Sequence, residues 1–254
     1  MFPDLTHRKR ETEWMDAPDA DPVELARSLK FIRSVNTLFG YTRQTISHLQ
    51  EFSKGWKQGE GISIVDFATG SADVPRAILR WADQSGFDVR VVGFDLHAAT
   101  AAIARQLERD PRLSIICASA LATPFDSGSF DYALTSMFLH HLDEDDAVRV
   151  LREMNRVARR GIVVSDLFRN RRAYGWISLF TLAAGPMVKH DARVSVAQAF
   201  DEDEVIKLRD RSDIRFAKLH RHFGHRFVLA GERKRPTVAS DPAVLGEAGH
   251  AAAC

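Results

Sequence analysis

An α/β fold on a doubly wound, mostly parallel sheet is what this 254-residue sequence predicts, and three observations lead there. Ile62-Ser63-Ile64-Val65 is a short, largely β-branched apolar run that reads as a strand buried on both faces. It leads through Asp66 into a turn of small residues (Ala68, Thr69, Gly70, Ser71, Ala72) and then into a helix from Asp73. A strand that turns directly into a helix leaves free backbone N–H groups at the helix start, and a ligand reaches them only where side chains are small. A second strand, Val89 to Phe94, ends in Asp95, where an acid typically takes the two hydroxyls of a ribose.

The elements follow in order. Residues 1–20 are charged, carry Pro3 and Pro18, and are expected to be loosely held. From Pro22, Leu25, Leu29, Ile32, Val35 and Leu38-Phe39 recur at helical spacing, and a second helix is expected from Thr42 to Trp56. These two helices make a cap over residues 21–58, ahead of a main domain at 59–231. After the Asp66 turn, strand and helix alternate with the rhythm of a parallel sheet. The helix Asp73–Ser85 precedes the Asp95 strand, and the helix Ala98–Arg109 precedes the strand Leu113–Cys117. Residues 129–136 make the fourth strand, Glu144–Arg159 a helix, and Ile162–Ser165 the fifth strand. A helix Asp201–Arg211 and a hairpin of Ile214–Leu219 with Arg226–Ala230 close the domain. Residues 232–254 lack large apolar side chains and are expected to be disordered.

Composition narrows the partners. Lys and Arg total 35 against 34 Asp and Glu, which gives no support for nucleic-acid binding. Two cysteines, Cys117 and Cys254, argue against a disulfide framework and a zinc cluster, so no metal is expected. The N-terminus lacks an apolar core and a cleavage site, and the apolar stretch Ala173–Val188 is broken by Gly185-Pro186. A cytoplasmic protein without an integral membrane segment is expected.

The dinucleotide fingerprint G-x-G-x-x-G is not met, because Ala68 and Asp73 stand where its first and third glycines would be. The stretch Ile62–Pro75 resembles instead motif I of the class I S-adenosylmethionine-dependent methyltransferases. The span Ala118–Leu142 resembles the segment of that family that runs from the adenine pocket to the reacting methyl, with a turn at Asp126–Ser129 and an HHL ending at Leu142. The resemblance covers residues 60–230 and implies a Rossmann-like, mostly parallel seven-stranded sheet with one antiparallel strand near its edge. It implies S-adenosyl-L-methionine as cofactor, held by Asp66, Ala68, Thr69, Gly70, Asp95, Leu96, Ser119, Ala120 and Ser136. Asp66 would face the methionine end, Gly70 would let the chain pass beneath the cofactor, and Asp95 would hold the ribose. Ser119 stands where relatives usually carry an acid for the adenine amine. Ala68 and Ala72 replace usual glycines, which is tolerable where φ is negative.

Between the fifth strand and the helix at Asp201 lie more than thirty residues where a short connection is expected. Within this insertion, 169–200, the residues Tyr174, Trp176, Ile177, Leu179, Phe180 and Leu182 read as one short apolar helix, a lid or wall for a small-molecule acceptor. A packed subdomain or a homodimer contact is the competing use. The insertion resembles those of bacterial methyltransferases associated with polyketide-derived phenolic lipids and quinols, which favours O-methylation of a small apolar aromatic acceptor. Methylation at N or C, a binding module without turnover, and a nicotinamide enzyme stay open. A phenol needs a base, and His190, beside Asp191, ranks ahead of His141; His140 is the third candidate. His220, His222 and His225 are expected in a solvated turn.

Overall fold

The computed structural model describes residues 3–17, 21–38, 40–223 and 225–233. Two helices, α1 (Pro22–Leu38) and α2 (Tyr41–Ser53), come first, followed by β1 (Gly61–Phe67), α3 (Asp73–Ser85), β2 (Asp88–Asp95), α4 (Ala98–Leu107) and β3 (Leu113–Cys117). The chain continues through β4 (Phe130–Ser136), α5 (Glu144–Val157), β5 (Ala158–Leu167), α6 (Arg171–Phe180), α7 (Pro186–Gln198), α8 (Glu202–Arg211), β6 (Lys218–His222) and β7 (Arg226–Glu232). The seven strands run in the order β3-β2-β1-β4-β5-β7-β6, parallel except for β7, which pairs antiparallel with both neighbours. This is the mostly parallel sheet expected of the sequence.

Alternation along each strand sends side chains to two helical layers. Ile62 and Ile64 of β1 pack with α2, α3 and α4 on one face, while Val65 and Phe67 pack with α5 and α8 on the other. Both faces are covered, so the central strands are nearly continuously apolar. Helix starts are specified locally. The Asp143 side chain accepts the Asp146 N–H at the start of α5, and Asp201 with Glu204 forms a reciprocal capping box on α8. The strand order reverses between β1 and β4, and their carboxyl ends open the crevice where open α/β sheets bind ligands.

Four expectations are corrected. The N-terminal segment, expected to be loose, is strapped onto the domain: Arg8 donates to the carbonyls of Gln198, His140 and Leu142, and its guanidinium lies 3.5 Å above the Phe200 ring. The insertion holds two helices rather than one, joined to the sheet by a small cluster of Leu167, Ala173, Val196 and Ala199. The sixth strand begins at Lys218, not Ile214, because Ile214 and Ala217 are buried in the turn that precedes it. His220 and His222 therefore lie in a strand, with His222 Nε2 3.3 Å from His48 Nε2, and only His225 is in the turn. The expected tail falls outside the described residues from 234 onward.

Candidate active site

The β1–α3 turn is held by its own polar groups. The Thr69 N–H donates to the Phe94 carbonyl, the Thr69 hydroxyl donates to Asp66 Oδ2 at 2.7 Å, and the Gly70 N–H donates to Asp95 Oδ2 at 3.0 Å. The His97 N–H takes the other Asp95 oxygen at 3.0 Å. Gly93 permits this approach, since a Cβ there would stand 2.7 Å from the Thr69 hydroxyl. Gly70 has φ +54°, but so do two residues with side chains: Ala68 at 52° and Ala72 at 58°. The negative φ that would make these alanines harmless is not what the chain adopts. The left-handed region costs an L-residue roughly 1–2 kcal/mol, and replacing it by glycine returns part of that in unfolded-chain entropy. Ala68→Gly is therefore expected to stabilise the fold by about 0.5–1 kcal/mol in urea unfolding. Ala72→Gly should gain little, because it also removes a fully buried methyl worth about 0.8 kcal/mol. A destabilised Ala68→Gly protein would show that the turn is not left-handed at this residue.

Above the turn opens a cavity of about 750 Å3, within the range of small-molecule sites. Asp66, Ala68, Thr69, Gly70, Asp95, Leu96, Ser119, Ala120, Ser136 and His141 all line it, so the predicted cofactor residues and one of the two predicted bases share one space. His190 does not. Its ring stacks on Trp14 at 4.2 Å, bonds Asp191 and Glu11, and faces a separate cleft with Lys189 and Arg193. Its neighbour Asp191 faces the main cavity instead, and is engaged by the backbone N–H groups of Trp14 and Met15. The Ser119 hydroxyl accepts from the Leu121 N–H at 3.2 Å, so its lone pairs are partly used by its own turn.

Two polar atoms mark where a ligand belongs. Asp66 Oδ1 and Ser136 Oγ are buried without a hydrogen-bond partner among the described residues, although both side chains line the cavity. Burial pushes the Asp66 carboxyl up to about 7; the Thr69 hydroxyl opposes this, while Asp73 and Asp95 add to it. An acid so placed calls for a cation in the cavity.

The far wall carries a buried charge network that sequence reading missed. His140 Nδ1 donates to Asp166 Oδ1 at 2.7 Å, and Asp166 Oδ2 accepts the His140 backbone N–H at 3.1 Å. On the other side, Glu13 Oε1 lies 3.7 Å from His140 Nε2 and 3.9 Å from His141 Nε2. It also accepts from Ser195 Oγ at 2.6 Å and Gln198 Nε2 at 3.1 Å. Burial would drive the His140 pKa down, but Asp166 and then Glu13 raise it to about 10. Both carboxyls are held below their ordinary values against the pull of desolvation, Glu13 chiefly by His141 and His140, Asp166 by His140. Both ring nitrogens of His140 thus face carboxylates, which favours its protonated form, while His141 is part-exposed and lines the cavity. No local pattern announces Glu13, because its partners lie more than a hundred residues away. Asp166 had a signal, its place at the carboxyl end of the fifth strand.

The roof of the cavity is apolar. Leu29 and Phe31 of α1, Tyr41 of α2, Met137 and Phe138 after β4, and Trp176, Ile177 and Phe180 of α6 face it. The cap and the insertion thus enclose a space beyond the one the turn residues define.

Residues 65–164 match the family model for a methyltransferase domain. Solved structures with the same fold include an S-adenosylmethionine-dependent methyltransferase from Aquifex aeolicus, at 17% identity and TM-score 0.58, covering 84% of this chain and 98% of that one. The CurJ carbon methyltransferase matches at 12% identity and TM-score 0.62, over 84% of this chain and 61% of its own. Magnesium protoporphyrin IX methyltransferase from Synechocystis PCC 6803, solved with S-adenosylhomocysteine bound, matches at 14% identity and TM-score 0.54, over 77% of this chain and 84% of that one. A comparison with curated proteins finds no match.

Proposed function

We propose that this chain is a class I S-adenosylmethionine-dependent methyltransferase and that it moves the methyl group to the oxygen of a small apolar phenol or quinol. The observation that carries the reading is the meeting, in one cavity, of an apolar roof with a part-exposed histidine backed by a buried carboxylate. The donor groups around the turn fit the cofactor. The partnerless Asp66 oxygen suits an ammonium, Asp95 stands at the carboxyl end of β2 where an acid typically takes ribose hydroxyls, and Leu96 offers an exposed apolar face for a base. When bound, the cofactor supplies an electrophilic methyl on a sulfonium.

The chain's own residues then have two tasks. The roof side chains hold the acceptor ring in line with that methyl, and such alignment is worth on the order of 7–11 kcal/mol. His141 takes the phenolic proton, since a phenol of pKa about 10 is only ~0.1% ionised at pH 7. The imidazolium so formed lies 3.9 Å from the Glu13 carboxylate, which Ser195 and Gln198 fix in place. His140 is not assigned that role, because its two ring nitrogens face Asp166 at 2.7 Å and Glu13 at 3.7 Å.

The reading is tested with methyl-labelled cofactor and a panel of apolar phenols, hydroquinones, anilines and carbon acids, each product located by NMR. Label in an aryl methyl ether is the expected result. Label only on nitrogen or carbon, or cofactor binding without transfer to any member, would overturn it. The cofactor half has its own check. Asp95→Ala should weaken binding of S-adenosylhomocysteine by about 1.5–3 kcal/mol, or roughly 10–150-fold, by calorimetry. An unchanged dissociation constant would remove Asp95 from the site.

A further inference from the structure

Nine large apolar side chains are conspicuously exposed among the described residues, and five of them lie on or just after α6 or in the β6–β7 turn. Trp176, Leu179, Phe180 and Leu182 lie on or just after α6 and are between 51 and 62% exposed, while Phe223, in the β6–β7 turn, is 95% exposed. Trp176 and Phe180 stack with ring centroids 5.8 Å apart, and these two and Phe223 also line the cavity. An apolar patch continuous with a binding cavity is more than the scatter of single exposed residues found on any surface.

Charge indicates what covers the patch. From Leu167 to His190 the sequence contains no acidic residue, whereas it holds Arg169, Arg171, Arg172 and Lys189. Arg169 is buried against Asp201 and Glu204, but Arg171 and Arg172 are exposed in the first turn of α6. Cations at a helix N-terminus oppose the helix dipole, so helix stability does not account for them. Arg172 lies on the same stripe of α6 as Trp176 and Phe180, at positions i, i+4 and i+8. It also lies close enough to the β6–β7 turn to depress the His225 pKa, after the larger effect of burial. An aromatic and aliphatic face edged with arginine is the pattern of a helix lying in the interface of an anionic bilayer. No described helix is long and apolar enough to cross a membrane.

We propose that α6 and the β6–β7 turn dock this protein on an anionic lipid bilayer, with the cavity mouth facing the leaflet. The consequence for the acceptor, which rests on the function proposed above, is that it enters from the membrane as a lipid-soluble phenol or quinol. The bilayer contact itself is tested without turnover. Wild-type protein is incubated with vesicles of phosphatidylcholine alone and with vesicles of phosphatidylcholine and phosphatidylglycerol in equal parts, and the bound fraction is read by flotation. Binding to the mixed vesicles that weakens with added salt is expected. Leu179→Asp with Leu182→Asp should abolish it while S-adenosylhomocysteine affinity, read by calorimetry, stays unchanged, since neither leucine lines the cavity. Arg172→Gln, the milder variant, should weaken it about fivefold. Absence of wild-type binding would overturn the proposal, as would full binding by the double variant. A wild-type dimer that the double variant dissolves, with no vesicle binding, would assign the face to a second copy of the chain. Vesicle binding with no transfer to any phenol would leave the docking intact and sink the acceptor class instead.

Discussion

His141→Ala is expected to lower turnover on a phenolic acceptor by roughly 10²–10⁴-fold, the usual contribution of a positioned general base. S-adenosylhomocysteine affinity should barely change, because His141 belongs to the segment after β4 and not to the Asp66 turn. The loss should grow with the pKa of the acceptor: an acidic nitrophenol is already ionised at pH 7 and needs no base, whereas an alkyl-substituted phenol does. His190→Ala is the internal control. That ring faces a different cleft and should leave the rate within a fewfold of wild type. Equal losses in His141→Ala across acidic and weakly acidic phenols would assign the ring to packing, and a large loss in His190→Ala would move the chemistry to the second cleft.

The placement of these two histidines in different clefts shows what the sequence exposes and what it conceals. His190 and Asp191 are adjacent, and adjacency suggested a base with its orienting acid. The pair does meet, with His190 Nδ1 3.0 Å from Asp191 Oδ1. Successive residues on a helix nevertheless point about 100° apart, and α7 leaves the acid lining the cavity and the histidine ring in the second cleft. The β1–α3 turn and Asp95 were readable because the strand, the turn and the acid that caps it lie within some thirty residues and each has a compositional signal. Even there, the backbone sign at Ala68 and Ala72 was not, since composition carries no φ.

Non-local contacts account for most of the rest. Glu13 sits in a stretch whose charge and prolines read as loose, and it is ordered by partners on α7 and after β4 that no window of sequence contains. β6 was misplaced for a different reason. It is an edge strand reading Lys-Leu-His-Arg-His with no fully buried residue, while the apolar Ile214 and Ala217 that suggested a strand are buried from a turn. Hydrophobic pattern reports burial, and burial came from the wrong element.

Asp166→Ala should destabilise the fold by about 3–5 kcal/mol, the cost of stranding one member of a buried ion pair. Three donors lose their acceptor at once: His140 Nδ1, the His140 backbone N–H and the Leu167 backbone N–H. Asp166→Asn keeps an oxygen for one of them and should cost distinctly less. The pH dependence separates this from a simple cavity effect. The raised His140 pKa contributes stability that is complete below about 6.5 and is lost as pH climbs through about 10. The lowered carboxyls of Asp166 and Glu13 contribute stability that is complete above their ordinary values near 4 and is lost on acidification. These two contributions lower wild-type urea midpoints on acidification below about pH 5 and again above about pH 7. They are superimposed on the stability that the raised Asp66 carboxyl loses as pH climbs from about 4 through about 7, in wild type and variant alike. In Asp166→Ala the His140 pKa drops toward its ordinary value, so the alkaline decline should flatten. A variant that loses less than about 1 kcal/mol, or that keeps the wild-type alkaline limb, would show that His140 is not held as a cation by Asp166. His141 would then lose its rank over His140 as the base, because the argument for it rests on the neighbouring ring being already charged.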